Sequence, residues 1–330
     1  MLHARLTTLH SVALILQLLG NDREDDARVL LAGSGIQLAD LQHREIRITT
    51  TQEMAVFATA CARCPALGLL LGPRMHVSSY GLLGYTLLSS ATLGEALQVA
   101  LEFPALLGTY FQLSLHRDSQ WAWLRAEGYR DRAELETFNV EFCLSSLKQV
   151  CDDLLGEPLP LGAAHFRHGA PGYRADYPSR FACQPRFDAG ENAFGFPAGW
   201  LDRRLPLADP VTHRDMRERC QQLNREFVQQ QALITRCRQL LAAQLSAPPG
   251  LEALARQLNC SARSLRRHLG SAGSSYQKLL DELRFDRARQ LLEQRLPIQR
   301  IAELLGYSET ASFRHAFRRW SGLSPSRFRH

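Results

Sequence analysis

The last eighty residues of the chain repeat themselves, and the spacing of the repeat leaves few folds open. Leu251, Leu254, Ala255, Leu258, Asn259 and Ser261 recur 47 residues later as Ile298, Ile301, Ala302, Leu305, Gly306 and Ser308. Leu265 and Leu269 recur one residue further on as Phe313 and Phe317. Each half reads as a helix, a short turn and a second helix. The alanine lets two helices cross closely, and the Asn or Gly four positions later admits the left-handed conformation that a tight turn needs. Ser261 and Ser308 stand where an N-cap oxygen would satisfy the free amides of the second helix. These are the parts of a helix-turn-helix, present twice.

Leu265 and Leu269 in one second helix, and Phe313, Phe317 and Trp320 in the other, form the inward stripe. The remaining faces carry Arg263, Arg266 and Arg267 in the first unit and Thr310, Arg314, His315, Arg318 and Arg319 in the second. Arginine reads guanine bidentately or clamps phosphate, and the pattern leaves both roles open for each. Ser274 and Gln277 resemble a capping box that opens a linker helix running through Gln294, closed by Pro297. A stiff helix there would hold the two units in fixed relation, so that one chain could read successive major grooves.

Charge is segregated along the chain in the same sense. The whole chain carries +6, but Gly250–His330 holds fifteen Arg and Lys against seven Asp and Glu, whereas positions 1–249 hold 24 basic and 26 acidic residues. A basic domain joined to a near-neutral one suits a polyanion partner, because cationic side chains release condensed counterions from phosphates.

The front of the chain reads as an α+β domain over residues 1–210. Helical periodicity covers Leu2–Leu19, Gln52–Cys61, Thr92–Leu107 and Arg132–Leu155; Gln112–Leu115 with Trp121–Ala126 makes a hairpin, and His165–His168 and Ala193–Phe196 read as further strands. Val211–Leu245 has apolar residues at helical spacing, and Ala247-Pro248-Pro249-Gly250 breaks it. The expected domains are therefore a regulatory domain at 1–210, a helical connector and linker at 211–249, and a tandem helix-turn-helix domain at 250–330. The apolar N-terminal stretch is interrupted by Thr7, Thr8, His10, Ser11 and Gln17, which makes it an amphipathic helix and not a signal peptide. No run of eighteen apolar residues occurs, so no membrane partner is expected. Eight cysteines without a regular framework fit reduced thiols in a cytoplasm. Cys61 and Cys64 are the one close pair, and no second pair completes a zinc site.

The run from Ile301 to Ser308, followed by Phe313 to Pro325, resembles the AraC/XylS family of regulators, with a match covering Gly250–Arg329. More weakly, Gly81–Leu97 and the segments Asn192–Phe196 and Leu201–Pro206 resemble the N-terminal effector domain of the branch that regulates ornithine and related amino-compound catabolism. The resemblance implies a transcription regulator, an activator by family habit, with double-stranded promoter DNA and RNA polymerase as partners and a small-molecule effector. It implies that Arg263, Arg266, Arg267, Thr310, Ala311, Arg314 and His315 face bases; with Ser261, Ser264, Ser308, Arg318 and Arg319 they make up the expected DNA-contacting set. The front domain does not read as the all-β sugar-binding cupin of the arabinose regulators, which argues against a sugar effector. Homodimerisation through the sensor is compatible with the sequence.

Tyr85, Tyr110, Trp121, Trp123, Tyr129 and His165 are the residues from which an effector pocket would draw, although each also suits core or surface, and none is assigned. Neither a cofactor nor a metal is called for. No nucleophile elbow, P-loop, dinucleotide fingerprint or zinc-protease motif occurs, which argues against an enzyme. A methyltransferase fused to such a DNA-binding domain would need a Pro-Cys-His-Arg-like segment, and there is none. A thiol- or metal-responsive regulator acting through Cys61 and Cys64 is the other alternative.

Overall fold

The computed structural model describes residues 6–20, 24–42, 47–272 and 274–329. Contacts divide the chain into two compact units, Phe57–Val228 and a second made of Met1–Val56 with Gln229–His330. The chain has an α+β N-terminal region and an all-helical C-terminal region. No single helix among the described residues is long and apolar enough to cross a membrane.

The described chain opens with β1 (Leu6–Thr8), α1 (His10–Leu19), α2 (Glu24–Leu31) and β2 (Arg47–Thr49), the two strands pairing antiparallel with Leu6 opposite Thr49. The helix expected from Leu2 begins only at His10, after a strand; residues 1–5 lie outside the described residues. Then follow α3 (Thr50–Arg63), α4 (Leu67–Leu71), α5 (Gly81–Leu88), α6 (Leu93–Glu102) and α7 (Pro104–Leu107). The helix expected across Thr92–Leu107 is divided at Phe103, whose φ of −118° and ψ of 56° leave the helical region. Pro104 causes this, since its ring crowds the backbone of the residue before it.

The sheet of the Phe57–Val228 unit is built from β3 (Gln112–Arg117), β4 (Trp121–Glu127), β5 (Ala163–His165), β6 (Pro185–Arg186) and β7 (Ala193–Pro197), in the order β3-β4-β7-β5-β6. Between β4 and β5 runs α8 (Glu136–Leu155), ended by Gly156 at φ 71°. All pairings are antiparallel except β5 with β6. Alternation on β4 buries Ala122, Leu124 and Ala126 and turns Trp121, Trp123 and Arg125 to the other face. The expected hairpin is present with Leu115 opposite Leu124. The strand expected at His165–His168 runs instead over Ala163–His165, and the Phe166 amide still donates to the Arg186 carbonyl. The short α9 (Tyr177–Phe181) packs two large rings into the core, where Phe166, Tyr177, Phe181, Phe194 and Phe196 are fully buried. The helically spaced residues from Val211 onward form a single helix, α10 (Pro210–Ala243), with the Asp209 carboxylate accepting the amides of Val211 and Thr212 at 2.9 and 3.1 Å. The division between the units falls within α3 and within α10.

The C-terminal part of the other unit holds α11 (Leu251–Gln257), α12 (Ala262–Ser271), α13 (Tyr276–Glu293), α14 (Ile298–Leu304), α15 (Thr310–Ser321) and α16 (Pro325–Phe328). Both turns are as the repeat requires: Asn259 has φ 53° and Gly306 φ 77°. Gly306 is needed for a second reason. A Cβ there would lie 2.3 Å from the Ser246 carbonyl oxygen, so the chain ahead of α11 can approach this turn only over a glycine.

Candidate nucleic-acid interface

Each helix-turn-helix unit has its own core, and α13 belongs to both. Ile234, Cys237 and Leu241 of α10 join Leu254, Ala255, Leu265, Leu269 and Leu279 in the first core. Ala288, Leu291 and Leu292 join Ile301, Ala302, Leu305, Phe313 and Phe317 in the second. The linker helix thus gives its early residues to one unit and its late residues to the other. At 1.5 Å per residue it is about 27 Å long, a rigid spacer of the order of one DNA turn. Tyr276 donates its hydroxyl to the Pro249 carbonyl at 2.8 Å, and the Arg284 guanidinium lies 4.7 Å over the Tyr307 ring. These contacts tie the spacer to the linker at one end and to the second turn at the other.

The helix starts differ between the units. Ser261 is the N-cap of α12 and accepts the Ser264 amide at 3.1 Å, as expected. In α15 the N-cap is Glu309, whose side chain makes no cap bond, so Ser308 lies one residue too early for the role the repeat suggests. The extra residue between Ser308 and Phe313 shifts the register of that helix start. The opening of α13 is also one residue later than expected: Ser275, not Ser274, accepts the amide of Lys278 at 3.1 Å, and the buried Ser274 hydroxyl has no hydrogen-bond partner among the described residues.

With the inward stripes buried, the arginines fall on the outside. Arg263, Arg266 and Arg267 of α12, and Ala311, Arg314, His315 and Arg318 of α15, are exposed; Ser264 and Thr310 are half-buried, while Ser261 and Ser308 are exposed in the turns. Among the described residues no ion pair or hydrogen bond engages the guanidinium of Arg263, Arg266, Arg267, Arg314 or Arg318. Arg319 is different. It donates to Asp281 of α13 at 3.1 Å, which fastens α15 to the linker helix. Unpaired guanidiniums on two exposed helix faces can form bidentate bonds to base edges or to phosphates without first breaking an internal pair.

In the Phe57–Val228 unit the residues considered for an effector pocket part company. Trp121, Trp123 and His165 share one face of the sheet, with Trp123 6.2 Å from Trp121 and 5.1 Å from His165 between ring centroids. Glu191 lies beside them, 2.8 Å from Arg125 and 3.3 Å from His165. Tyr129 instead stacks on Phe111 at 5.2 Å and donates to the Arg132 carbonyl, Tyr110 packs against the core, and Tyr85 is largely exposed. Cys61 and Cys64 are free thiols. Burial, Glu141 and Cys64 push the Cys61 thiol up to about 12, and burial raises Cys64. Neither is thereby made a ready nucleophile, since the thiolate is the reactive form. Glu141 itself is held up at about 7 by burial, against the hydrogen bonds it accepts from Tyr177 and Tyr173. Among the described residues no three His, Cys, Asp or Glu side chains are placed to hold a metal ion.

Sequence reasoning missed one cluster. Arg238 of α10 meets Glu282 and Asp286 of α13 at 2.5 and 3.6 Å, beside a cavity that also reaches Phe285 and Trp320. The four-residue spacing of the two acids was the available signal, but Arg238 stands 44 residues before Glu282 in sequence.

Comparison with known proteins places these features in context. Residues 26–205 match the family model described as the arabinose-binding domain of AraC transcription regulator, N-terminal, and residues 254–330 match a helix-turn-helix domain model. The chain is 36% identical over 294 residues to the ornithine utilization regulator of Pseudomonas aeruginosa, covering 89% of this chain and 87% of that one. It is 30% identical over 279 residues to the HTH-type transcriptional regulator VqsM of the same organism, covering 79% and 83%. Among solved structures, the transcriptional regulator CdpR of Pseudomonas aeruginosa aligns with 84% of this chain and 91% of that chain at 30% identity and a TM-score of 0.44.

Proposed function

We propose, from the premise that this chain belongs to the AraC family of transcription regulators, that its two helix-turn-helix units read adjacent major grooves of one operator and that a small molecule governs the reading. The chain is a transcription regulator with an AraC-type helix-turn-helix region and an N-terminal ligand-binding domain, and DNA is its partner. The finer reading rests above all on the unpaired arginines of α12 and α15. Ser261, Arg263, Ser264, Arg266 and Arg267 form the first contact set; Ser308, Thr310, Ala311, Arg314, His315, Arg318 and Arg319 form the second. Of these Arg319 contributes less to base reading, because Asp281 already claims its guanidinium.

Residues 1–210 act as the regulatory domain, 211–249 as connector and linker, and 250–330 as the DNA-binding domain. The effector is an amino-acid-related metabolite. The long match to the ornithine utilization regulator supports this over a sugar, as does the α+β build of the front region, even though the matched family model is named for arabinose. The protein acts as an activator that contacts RNA polymerase, works in the cytoplasm and pairs as a homodimer. Effector binding changes DNA affinity only in so far as the effector binds the two states of the protein differently.

The test is footprinting and titration of the full chain on its own upstream DNA across salt concentrations, with Arg266→Ala and Arg314→Ala beside the wild type. Each substitution should cost about 1–3 kcal/mol on the operator and much less on random DNA. Uniform loss on all sequences would reduce these arginines to phosphate contacts. Absence of any footprint, with or without amino-compound metabolites, would sink the operator reading.

A further inference from the structure

The 47-residue repeat reaches a pair of side chains for which base reading has no use. In the second unit the Arg284 guanidinium lies 4.7 Å over the Tyr307 ring. Counting back 47 residues from each gives Cys237 of α10 and Cys260 of the first turn. Backbone and packing keep the correspondence. The Cys260 amide donates to the Ala255 carbonyl at 3.0 Å, as the Tyr307 amide does to the Ala302 carbonyl at 2.9 Å. One helical turn after Cys237, Leu241 is buried in the first core, and one turn after Arg284, Ala288 is buried in the second. Where the second unit joins its turn to the preceding long helix through a cation and a ring, the first sets two thiols against each other.

Both thiols are free and belong to one cluster. Cys237 is fully buried in the first core, and the half-buried Cys260 packs against that core from the turn before α12. Burial and the neighbouring Cys260 push the Cys237 thiol up to about 11, the second cause being a charge effect of short range. An oxidant in solution meets Cys260 first, and Cys237 reacts only through it.

We propose that Cys237 and Cys260 form a redox pair, closed to a disulfide by a low-molecular-weight disulfide such as glutathione disulfide, and that closure weakens operator binding. The pair is separate from Cys61 and Cys64. The Cys260 thiolate attacks one sulfur of glutathione disulfide, forming a mixed disulfide and releasing a glutathione thiolate that takes up the proton Cys260 gave. Cys237 then loses its proton and attacks the Cys260 sulfur, releasing the second glutathione as a thiol. Two protein thiols are oxidised, and one glutathione disulfide is reduced to two thiols. Since the thiolate is the attacking form, the high Cys237 makes the second step slow and faster as pH rises. An S–S bond of about 2.05 Å replaces a contact of roughly 3.5–4 Å between unbonded atoms, so closure draws the turn towards α10. Cys260 stands directly before Ser261, the N-cap that accepts the Ser264 amide, so the start of α12 moves with the turn and carries Arg263, Arg266 and Arg267 out of register.

The experiment treats the full chain with glutathione disulfide at neutral and at mildly alkaline pH. Alkylation, proteolysis and mass spectrometry without reductant map the disulfides, and the same samples are titrated on operator DNA before and after a dithiol reductant, beside Cys260→Ser and Cys237→Ala. The expected result is a Cys237–Cys260 cross-linked peptide that forms faster at the higher pH. Operator affinity should fall by about tenfold, the size of one lost bidentate base contact, with recovery on reduction and no change in either variant. Cys237 left free for alkylation after denaturation, or disulfides that join other cysteines instead, would overturn the pair. A mapped Cys237–Cys260 disulfide with unchanged operator affinity would overturn its control of DNA binding. Mapping needs no DNA, which keeps this inference apart from the operator reading. A cross-link in a chain that gives no footprint in either redox state counts against the operator reading, and a footprint without a cross-link counts against this pair alone.

Discussion

The first helix-turn-helix unit closes on leucines, with Leu265 and Leu269 buried under an N-cap serine, whereas the second closes on rings and has no side-chain cap. In the second, Phe317 lies 5.8 Å from Phe313, 5.5 Å from Phe285, 5.3 Å from Phe328 and 6.4 Å from Trp320. Both units put an alanine at the helix crossing and a left-handed residue in the turn. The common frame is therefore set by backbone geometry, while the means of holding it differ. The first unit relies on local hydrogen bonding together with aliphatic packing, and the second on packing between elements.

If that contrast is right, the deepest loss comes from the ring cluster. Phe317→Ala should cost about 4 kcal/mol in denaturant unfolding, against about 3 kcal/mol for Leu269→Ala, because more neighbours are left facing the void. A larger loss at Leu269 would reverse the assignment of the packing-dependent unit. The turns come next. Gly306→Ala combines a left-handed backbone with a clash against the Ser246 carbonyl and should cost about 3 kcal/mol, while Asn259→Gly, which removes no hydrogen bond described for its side chain, should stay within about 0.5 kcal/mol. Equal effects at the two turns would show that the approach of Ser246 relaxes freely. Smaller again is the cap difference. Ser261→Ala should destabilise by about 1 kcal/mol and Ser308→Ala by less than about 0.5 kcal/mol, and a matching loss at Ser308 would restore the symmetric capping that the repeat suggests. Least of all, Arg319→Ala should change stability by no more than about 0.5 kcal/mol, since its pair with Asp281 is largely exposed on the arginine side. Its operator affinity should fall less than that of Arg314→Ala; a greater fall would make Arg319 a primary contact.

The fold was legible where the signal was local. The 47-residue repeat specified two helix-turn-helix units down to their buried alanines and left-handed turns, because those requirements act within about twenty residues of chain and leave a periodic mark. The hairpin from Gln112, the long helix before Pro248 and the outward arginines could be read for the same reason. Helix starts were less legible. Ser308 and Ser274 are both residues of the right type one position too early, and which neighbour caps depends on how the chain enters the packed helix.

What only the tertiary structure decided concerns residues distant in sequence. Nothing near Asp286 announces that Arg238 is shared with Glu282, or that Gln52 and Trp320 border the same cavity. Nothing near Arg319 distinguishes it from Arg318 until Asp281 is seen beside it. Composition and periodicity determine which faces are apolar and which are charged, since both follow from the repeat of a helix or a strand. The pairing of one charge with another depends on the three-dimensional path of the chain, and so does the space left between elements. The sequence by itself determined a tandem, basic DNA-reading domain behind an α+β domain; the tertiary structure determined which of its charges are already spent and which are still free to meet a partner.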